Sequence, residues 1–172
     1  MSGVGFRVMA LMFRVRDFFR PRRYIVEEVG VKEGFRVLDY GCGPGGYIKA
    51  VAELVGESGR VFALDVEPLA LDLVRKLAVK ERLLNVETIL SDCKTGLASG
   101  SLDVVLVYDV FHGLRDPDSV LGELHRVLKP GGILSFSDHH MREDEIVSKL
   151  TSTRRFRLLK KGKRTYSFVK SG

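Results

Sequence analysis

The sequence predicts a single α/β domain built on a doubly wound, mostly parallel sheet. Three features lead to this prediction. Short apolar runs alternate with longer helical patterns between residues 35 and 137, as in consecutive βαβ units with right-handed crossovers. A glycine-rich turn follows the first apolar run. The 172 residues are 45% hydrophobic and 29% charged, which is the ordinary composition of one globular domain.

Five apolar runs are predicted to be parallel strands. They are nearly continuous in Val, Leu, Ile and Phe, as strands are when helices cover both faces of a sheet. The predicted strands cover residues 35–39, 60–65, 86–91, 102–108 and 132–137. Apolar positions at helical spacing predict helices over residues 46–55, 67–79 and 118–128.

The end of the chain departs from simple alternation. A helix is predicted over residues 142–152, followed by strands over residues 156–160 and 165–170. Because only four residues join these two strands, we expect them to be antiparallel. The Lys-Pro-Gly-Gly sequence at residues 129–132 is predicted to end the preceding helix and turn the chain into the fifth strand, since Pro cannot continue a helix.

Residues 1–30 lie outside the alternating pattern and are predicted to form one or two helices, ahead of a domain over residues 31–172. Apolar and aromatic residues recur there at helical spacing, with arginines between them. Two interpretations stay open: a lid packed over the bound ligand, or a basic amphipathic helix within residues 1–20 that contacts a membrane surface. With so short a segment before the first strand, we also expect the substrate pocket to be either shallow or completed by a second subunit of a homodimer.

Charge and cysteine content limit the range of binding partners and cellular locations that the protein could have. The net charge of +6 is concentrated at the two ends of the chain, which most simply gives a solvated basic surface and leaves contact with nucleic acid or an anionic membrane open. Two cysteines are too few for a disulfide framework. The apolar stretch at residues 8–13 is too short to span a bilayer and lacks a signal-peptide cleavage site. We therefore expect a soluble, cytoplasmic protein.

A glycine-rich turn lies directly after the first predicted strand and leads into a helix. Gly41, Gly43 and Gly46 match the GxGxxG spacing, which lets a ligand approach the backbone amides at the start of the helix. Asp65 ends the second strand, 19 residues after Gly46. A carboxylate at that place can accept hydrogen bonds from both hydroxyls of a ribose. The turn and Asp65 together predict a nucleoside-binding site.

Asp39 discriminates between two cofactor classes that use such a site. A carboxylate two residues before Gly41 would repel the pyrophosphate of a dinucleotide, whereas it complements the ammonium and sulfonium charges of S-adenosylmethionine. At about 4 Å and an effective dielectric constant near 20, the sign of this interaction is worth roughly 4 kcal/mol. Asp39 therefore favours S-adenosylmethionine, and a nicotinamide-dependent oxidoreductase stays as the alternative.

Five motifs resemble those of the class I S-adenosylmethionine-dependent methyltransferases, particularly the small-molecule group that includes the ubiquinone and menaquinone methyltransferases. They are VLDYGCGPGGY at 37–47, VFALDVEP at 61–68, LSDC at 90–93, DVVLVYDVFHGL at 103–114 and LKPGGIL at 128–134. The resemblance implies a Rossmann-like sheet of seven strands in the order 3-2-1-4-5-7-6. It also implies that strand 7 is antiparallel, which accounts for the hairpin at the end of the chain.

The resemblance further implies which residues hold the cofactor. Asp39 and the backbone of the glycine turn would hold the methionine part, while Asp92 and Cys93 would hold the adenine. Val66 would border the adenosine, and the backbone carbonyl of Tyr108 would meet the methionine ammonium. The full set is Asp39, Tyr40, Gly41, Cys42, Gly43, Gly45, Asp65, Val66, Asp92, Cys93 and Tyr108.

His112 is the candidate catalytic base. It follows the fourth strand, at the edge of the sheet where ligands of open α/β folds bind. Asp109, Asp138, His139 and His140 share this edge. No metal is expected at the two adjacent histidines, because neighbours on an extended chain point apart and no third ligand is evident.

These features predict a methyltransferase with a small-molecule or lipid-like, quinone-like acceptor. Methylation of RNA or protein is the alternative. The sequence YDVF at residues 108–111 lacks the DPPY-type or NPPY-type motif that amino-nitrogen methylating enzymes of nucleic acids usually carry, and no RNA-binding module is recognised. A small-molecule acceptor is therefore favoured over nucleic acid.

Overall fold

The computed structural model describes residues 22–172, which form a seven-stranded sheet of order β3-β2-β1-β4-β5-β7-β6. This confirms the expected strand order. The strands are β1 (Arg36–Tyr40), β2 (Arg60–Asp65), β3 (Val86–Leu90), β4 (Leu102–Tyr108), β5 (Leu128–Ser137), β6 (Phe156–Lys161) and β7 (Tyr166–Lys170). The lid or membrane helix expected within residues 1–20 lies outside the described residues.

Helices of this described part connect and cover the strands. They are α1 (Arg23–Val29), α2 (Ile48–Val55), α3 (Pro68–Glu81), α4 (Pro117–Val127) and α5 (Glu143–Thr151), with a 3-10 turn at Phe111–Gly113. The 3-10 turn was not predicted from the sequence. None of the described helices is long and apolar enough to cross a membrane.

Strand pairing brings the carboxyl ends of the central strands to one edge of the sheet. β1 is parallel to both β2 and β4, and β4 is parallel to β5. Tyr40 is level with Leu64 of β2 and Val107 of β4, and Tyr108 is level with Ser137 of β5. β7 is antiparallel to β5 and to β6, as expected. The loops after β1, β2, β4 and β5 therefore meet around one region of the sheet edge.

The core lies on both faces of the sheet, because successive residues of a strand point to opposite sides. On one face, Leu38 and Leu64 are buried with side chains of α4 and α5, including Leu124 and Leu150. On the other face, buried residues of β1 and β2 meet side chains of α1, α2 and α3, including Val37, Val61, Val26, Val51 and Val74. Helices on both faces explain why the strands are apolar throughout their length.

The prediction for residues 129–132 was wrong in part. α4 ends at Val127, and β5 begins at Leu128 rather than at Gly132. Leu128 already pairs with Leu102, and the register shifts before Val104 pairs with Ile133. The Pro-Gly-Gly sequence is therefore an irregularity within the strand, where a missing backbone donor is tolerated.

Candidate functional site

A cavity of about 710 Å³ lies beyond the carboxyl ends of the central strands, within the size range of sites that hold small organic ligands. It extends from the glycine turn after β1 to the 3-10 turn after β4, where His112 lines it. The cofactor residues from the sequence that line it are Asp39, Tyr40, Gly41, Cys42, Gly43, Asp65, Val66, Asp92, Cys93 and Tyr108. Gly45 is not among the lining residues. Arg22, which the sequence did not single out, also lines the cavity.

The glycine turn is held against β2 by its backbone. The amides of Gly41 and Cys42 donate to the Leu64 carbonyl at 2.8 and 3.0 Å. Gly43 has a positive φ of +51°, and a Cβ there would meet nothing within 4 Å, so its backbone is open to a ligand. A Cβ on Gly45 would lie 3.1 Å from Val74 Cγ2 of α3. This close approach and the positive φ of +85° both favour glycine at this position.

Asp39 is a buried carboxylate without a complete set of partners. It is 2% exposed, and its Oδ2 has no hydrogen-bond partner among the described residues. Burial raises the pKa of Asp39, Arg22 lowers it and Asp65 raises it, and the net result is a pKa of about 7. An unsatisfied buried acceptor is costly in an isolated protein. The site therefore fits a ligand that brings a positively charged donor, such as the ammonium of S-adenosylmethionine.

Asp65 connects the end of β2 to the glycine turn. Its Oδ2 accepts the Gly43 amide at 2.8 Å, and its Oδ1 accepts the Glu67 amide at 2.9 Å. A carboxylate has about four acceptor positions, so these two bonds leave capacity for the hydroxyls of a ribose. Asp65 thus fixes the shape of the turn and keeps acceptors for a ligand.

Tyr40 and Tyr108 line the cavity with hydroxyls that are already engaged. The Tyr40 hydroxyl donates to the backbone carbonyl of Asp92 at 2.5 Å, which holds the loop after β3 beside β1. The Tyr108 hydroxyl shares a hydrogen bond of 2.7 Å with Ser135 Oγ, and its ring lies 4.8 Å from the ring of Tyr47. Burial raises the pKa of both phenols. Both side chains therefore shape the wall in their neutral form.

Neither cysteine of the cavity wall is an activated thiol. Both are free, with Cys42 buried in the glycine turn and Cys93 half-buried after β3. Burial raises the pKa of each thiol, and nearby carboxylates raise it further, Asp39 beside Cys42 and Glu123 beside Cys93. A nucleophilic role requires a lowered pKa, so these cysteines only line the site.

His112 is held by a buried carboxylate at the opposite end of the cavity. Its Nδ1 lies 2.9 Å from Oδ2 and 3.0 Å from Oδ1 of Asp138, and its backbone amide donates to Oδ2 at 3.0 Å. Burial raises the pKa of Asp138, but the N–H groups of His112 and the His140 amide outweigh it, so the pKa is below its usual value. An ionised carboxylate at Nδ1 assigns the proton to that nitrogen and leaves the Nε2 lone pair as an acceptor.

Two sequence expectations about the adjacent histidines are wrong. His139 and His140 form a turn rather than an extended segment, and their ring centroids lie 3.9 Å apart. Further side chains able to bind a metal are also nearby, because Asp109, Asp138 and His139 each offer a ligand atom, and these atoms lie within 4.8 Å of one another. However, three N–H groups already occupy the oxygens of Asp138. We therefore assign this cluster to hydrogen bonding.

The pairing of His112 with Asp138 was missed at the sequence level, although a signal for it existed. Tyr108 and Ser137 end neighbouring strands at the same level, so the residues that follow them are brought together. Asp109 illustrates the same rule, since its Oδ1 lies 2.8 Å from His139 Nδ1. When two strands are neighbours in the sheet and end at the same level, the residues that follow them in the sequence are expected to lie close together.

Comparison with known proteins agrees with this geometry. Residues 31–172 match the family model described as a methyltransferase domain. A solved SAM-dependent methyltransferase from Aquifex aeolicus is 27% identical, covers 94% of this chain and 97% of its own, and superposes with a TM-score of 0.78.

Curated relatives include ubiquinone/menaquinone biosynthesis C-methyltransferases named UbiE. That of Shewanella baltica (strain OS155) is 28% identical over 153 residues, which are 88% of this chain and 60% of the relative. That of Cellvibrio japonicus is 31% identical over 143 residues, 80% of this chain and 56% of the relative. This chain thus spans about 60% of the length of these relatives. The matched domain, the shared fold and the site together show that the chain belongs to the class I methyltransferases, whose cofactor is S-adenosylmethionine.

Proposed function

We propose that the chain transfers a methyl group from S-adenosylmethionine to a small acceptor with an ionisable hydroxyl group, of the phenol or hydroquinone kind. The supporting observation is the His112–Asp138 pair, which lines the same cavity as the unpaired carboxylate of Asp39. The names of the UbiE relatives point to quinone-like acceptors for those proteins. A proton-accepting histidine suits a hydroxylated ring, because ionising the hydroxyl makes the ring oxygen or ring carbon more nucleophilic.

Cofactor binding is assigned to the glycine-turn end of the cavity. When bound there, S-adenosylmethionine supplies a methyl group activated by a sulfonium. Asp39 would accept from the methionine ammonium, Asp65 from the ribose hydroxyls and Asp92 from the adenine amine. The backbone of Gly43 would allow close approach, since a Cβ there would stand in open space. These groups orient the cofactor and exclude water, which is the main contribution a protein makes to a displacement of this kind.

Acceptor activation is assigned to His112. Its Nε2, the ring nitrogen that Asp138 does not hold, would accept the hydroxyl proton of the acceptor. Asp138 would act as a positioning residue that fixes the tautomer and stabilises the imidazolium. A positioned base of this kind contributes about a hundredfold to ten-thousandfold in rate.

Transfer of radiolabelled methyl groups tests the function. The full chain would be incubated with labelled S-adenosylmethionine and phenols or hydroquinones, each paired with an analogue whose hydroxyl groups are replaced by hydrogen. RNA, protein and lipid extracts would be assayed in parallel. We expect label in the hydroxylated small molecules. Label mainly in RNA or protein, or equal labelling of analogues without a hydroxyl group, would contradict the proposal.

The setting and partners of the enzyme belong to the same proposal. Because both cysteines are free thiols, we place the protein in the reducing cytoplasm. We keep residues 1–30 as a helical lid, ahead of a catalytic domain over residues 31–172.

Peripheral membrane contact through residues 1–20 is tested by liposome flotation with and without that segment. A homodimer that completes the acceptor pocket is tested by light scattering, and a fully active monomer would reject it.

A further inference from the structure

We propose that the hairpin of β6 and β7 carries a docking surface for a membrane that contains anionic phospholipids. This hairpin surface consists of two exposed leucines and four exposed basic residues: Arg157, Leu158, Leu159, Lys160, Lys163 and Arg164. It is separate from the segment 1–20 considered above. It also goes beyond the proposed function, because docking requires neither cofactor nor acceptor.

The hairpin has more positive charge than its acidic neighbours balance. Residues 154–164 include seven basic residues and no acidic one. Two carboxylates of neighbouring helices contact them: Glu143 of α5 pairs with Lys161, and Glu28 of α1 accepts the Lys163 amide at 2.6 Å. Seven cations beside two carboxylates leave an excess of positive charge, which attracts an anionic surface.

Part of this charge has no protein partner that would neutralise it. The guanidinium groups of Arg157 and Arg164 form no hydrogen bond or ion pair with any residue that the structure describes. The Lys160 ammonium donates to the backbone carbonyl of Glu28 at 2.6 Å, and that carbonyl carries no net charge. These cations are therefore available to phosphate groups outside the protein.

Two neighbouring leucines are exposed among these cations. Leu158 is 39% exposed and Leu159 is 51% exposed, and β6 is the last strand in the sheet order. The register shifts between Leu158 and Lys160. A bulge and lysines commonly protect an edge strand from pairing with other chains, but such protection gives no reason to expose two leucines. Apolar side chains among basic ones are typical of surfaces that bind at the boundary of headgroups and acyl chains.

The turn of the hairpin lies at the edge of the sheet that carries the cavity. Because β7 is antiparallel to both β5 and β6, these two strands run in the same direction. Tyr166 is level with Phe136 of β5 and with Lys161 of β6. Phe136 comes two residues before Asp138, which holds His112. A membrane on the hairpin surface would therefore lie on the side of the molecule that carries the site.

Other occupants fit the hairpin surface less well. A second copy that paired its own β6 with this β6 would place basic side chains against basic side chains, which is destabilising. Single-stranded nucleic acid binds largely by stacking bases on accessible aromatic rings. In this hairpin Phe156 and Phe168 are buried, and Tyr166 is half-buried. Charge and exposed leucines together favour a lipid surface.

Flotation of the full chain with vesicles tests this surface. Vesicles of phosphatidylcholine alone would be compared with vesicles that also contain phosphatidylglycerol. We expect the protein to float with the anionic vesicles and to bind the neutral ones much more weakly. Raising the ionic strength to about 1 M should weaken the binding, because the screening length falls to about 3 Å.

Variants of the hairpin locate the contact. The double variant Arg157→Gln and Arg164→Gln should lower the partition coefficient on anionic vesicles by about twentyfold, or about fivefold for each cation. Its matched control is the double variant Lys32→Gln and Lys76→Gln, which removes two exposed cations outside the hairpin and should change the partition coefficient little.

A second pair of variants tests the apolar part of the surface. Leu159→Ser should lower the partition coefficient by about fivefold. Leu84→Ser is its control, because Leu84 is 93% exposed and lies beside the opposite edge strand, β3. Calorimetry with S-adenosylhomocysteine should give the wild-type affinity in the hairpin variants, which checks that the cofactor site is intact.

Three results would overturn the proposal. The first is equal partitioning of the hairpin variants and their controls, which is expected if residues 1–20 alone bind the membrane. The second is equal binding of the wild type to neutral and anionic vesicles. The third is hairpin-dependent binding of polyuridylate without any binding of vesicles, which would make the surface a nucleic-acid site.

Discussion

The two ends of the cavity are built in opposite ways. At the glycine-turn end, backbone amides and glycines set the shape, and Asp39 keeps an unpaired carboxylate oxygen in a buried place. At the histidine end, side chains satisfy one another, because Asp138 holds both the ring and the backbone of His112. The first end is incomplete without a charged ligand, while the second is already ordered. The difference indicates that one end binds and the other orients a group for chemistry.

Replacing His112 gives the largest expected effect and would test the histidine end. In His112→Gln, we expect turnover to fall by about a hundredfold to ten-thousandfold, with unchanged binding of S-adenosylhomocysteine. Methyl-transfer kinetics and calorimetry measure the two quantities. His125→Gln is the control, since His125 contacts the Ser171 carbonyl and the Phe156 ring instead. A parallel loss of cofactor binding in His112→Gln would erase the distinction between the two ends.

Replacing Asp138 separates positioning from proton transfer. In Asp138→Asn the imidazole remains but its Nδ1–H loses a charged acceptor, so we expect turnover to fall by about tenfold to a hundredfold, less than on removal of the ring. The free energy of unfolding should also fall by about 1–3 kcal/mol, since a buried hydrogen-bond network is broken. Asp109→Asn replaces an exposed carboxylate that pairs with His139. It should lower turnover and the free energy of unfolding by less than Asp138→Asn does. Equal losses in the two variants would contradict a special role for Asp138.

A pair of glycine substitutions tests the backbone character of the other end. Gly43 and Gly30 both have positive φ, and a Cβ added to either would have nothing within 4 Å. We expect Gly43→Ala and Gly30→Ala to cost about 1–2 kcal/mol each in unfolding free energy. Only Gly43→Ala should also weaken S-adenosylhomocysteine binding, by about tenfold, because Gly43 lines the cavity. Unchanged binding in Gly43→Ala would show that the ligand does not approach this backbone.

The pH dependence of stability tests the unpaired carboxylate without any ligand. Burial raises the pKa of Asp39 from 3.8 to about 7, so between these values the folded protein holds a proton that the unfolded chain has lost. Without cofactor, this group should therefore lower the free energy of unfolding as the pH rises from about 4 to about 7.

Asp39→Asn should remove that contribution, and urea titrations across this pH range measure the difference from wild type. Asp72→Asn, at an exposed carboxylate paired with Arg75, should keep the wild-type slope. Identical slopes in wild type and Asp39→Asn would show that the Asp39 carboxylate is not destabilised by burial.

The two ends also differed in how far the sequence predicted them. The glycine turn, Asp39 and Asp65 were recognisable because their roles depend on strand-to-helix junctions that local patterns reveal. The His112–Asp138 pair joins residues 26 positions apart, and it follows from strand neighbourhood rather than from a local motif. The turn at His139 and His140 and the position of Arg22 on the cavity wall depend on side-chain packing. Neither apolar periodicity nor residue spacing carries that information.

Calorimetric titration with S-adenosylhomocysteine and NADH tests the binding assignment most directly. For the wild type, we expect one S-adenosylhomocysteine per chain and no binding of NADH. Asp39→Asn should weaken S-adenosylhomocysteine by about tenfold or more, since it removes a charged partner of the ammonium. Binding of NADH in place of S-adenosylhomocysteine, or undiminished affinity in Asp39→Asn, would contradict the assignment of this cavity and of its buried carboxylate.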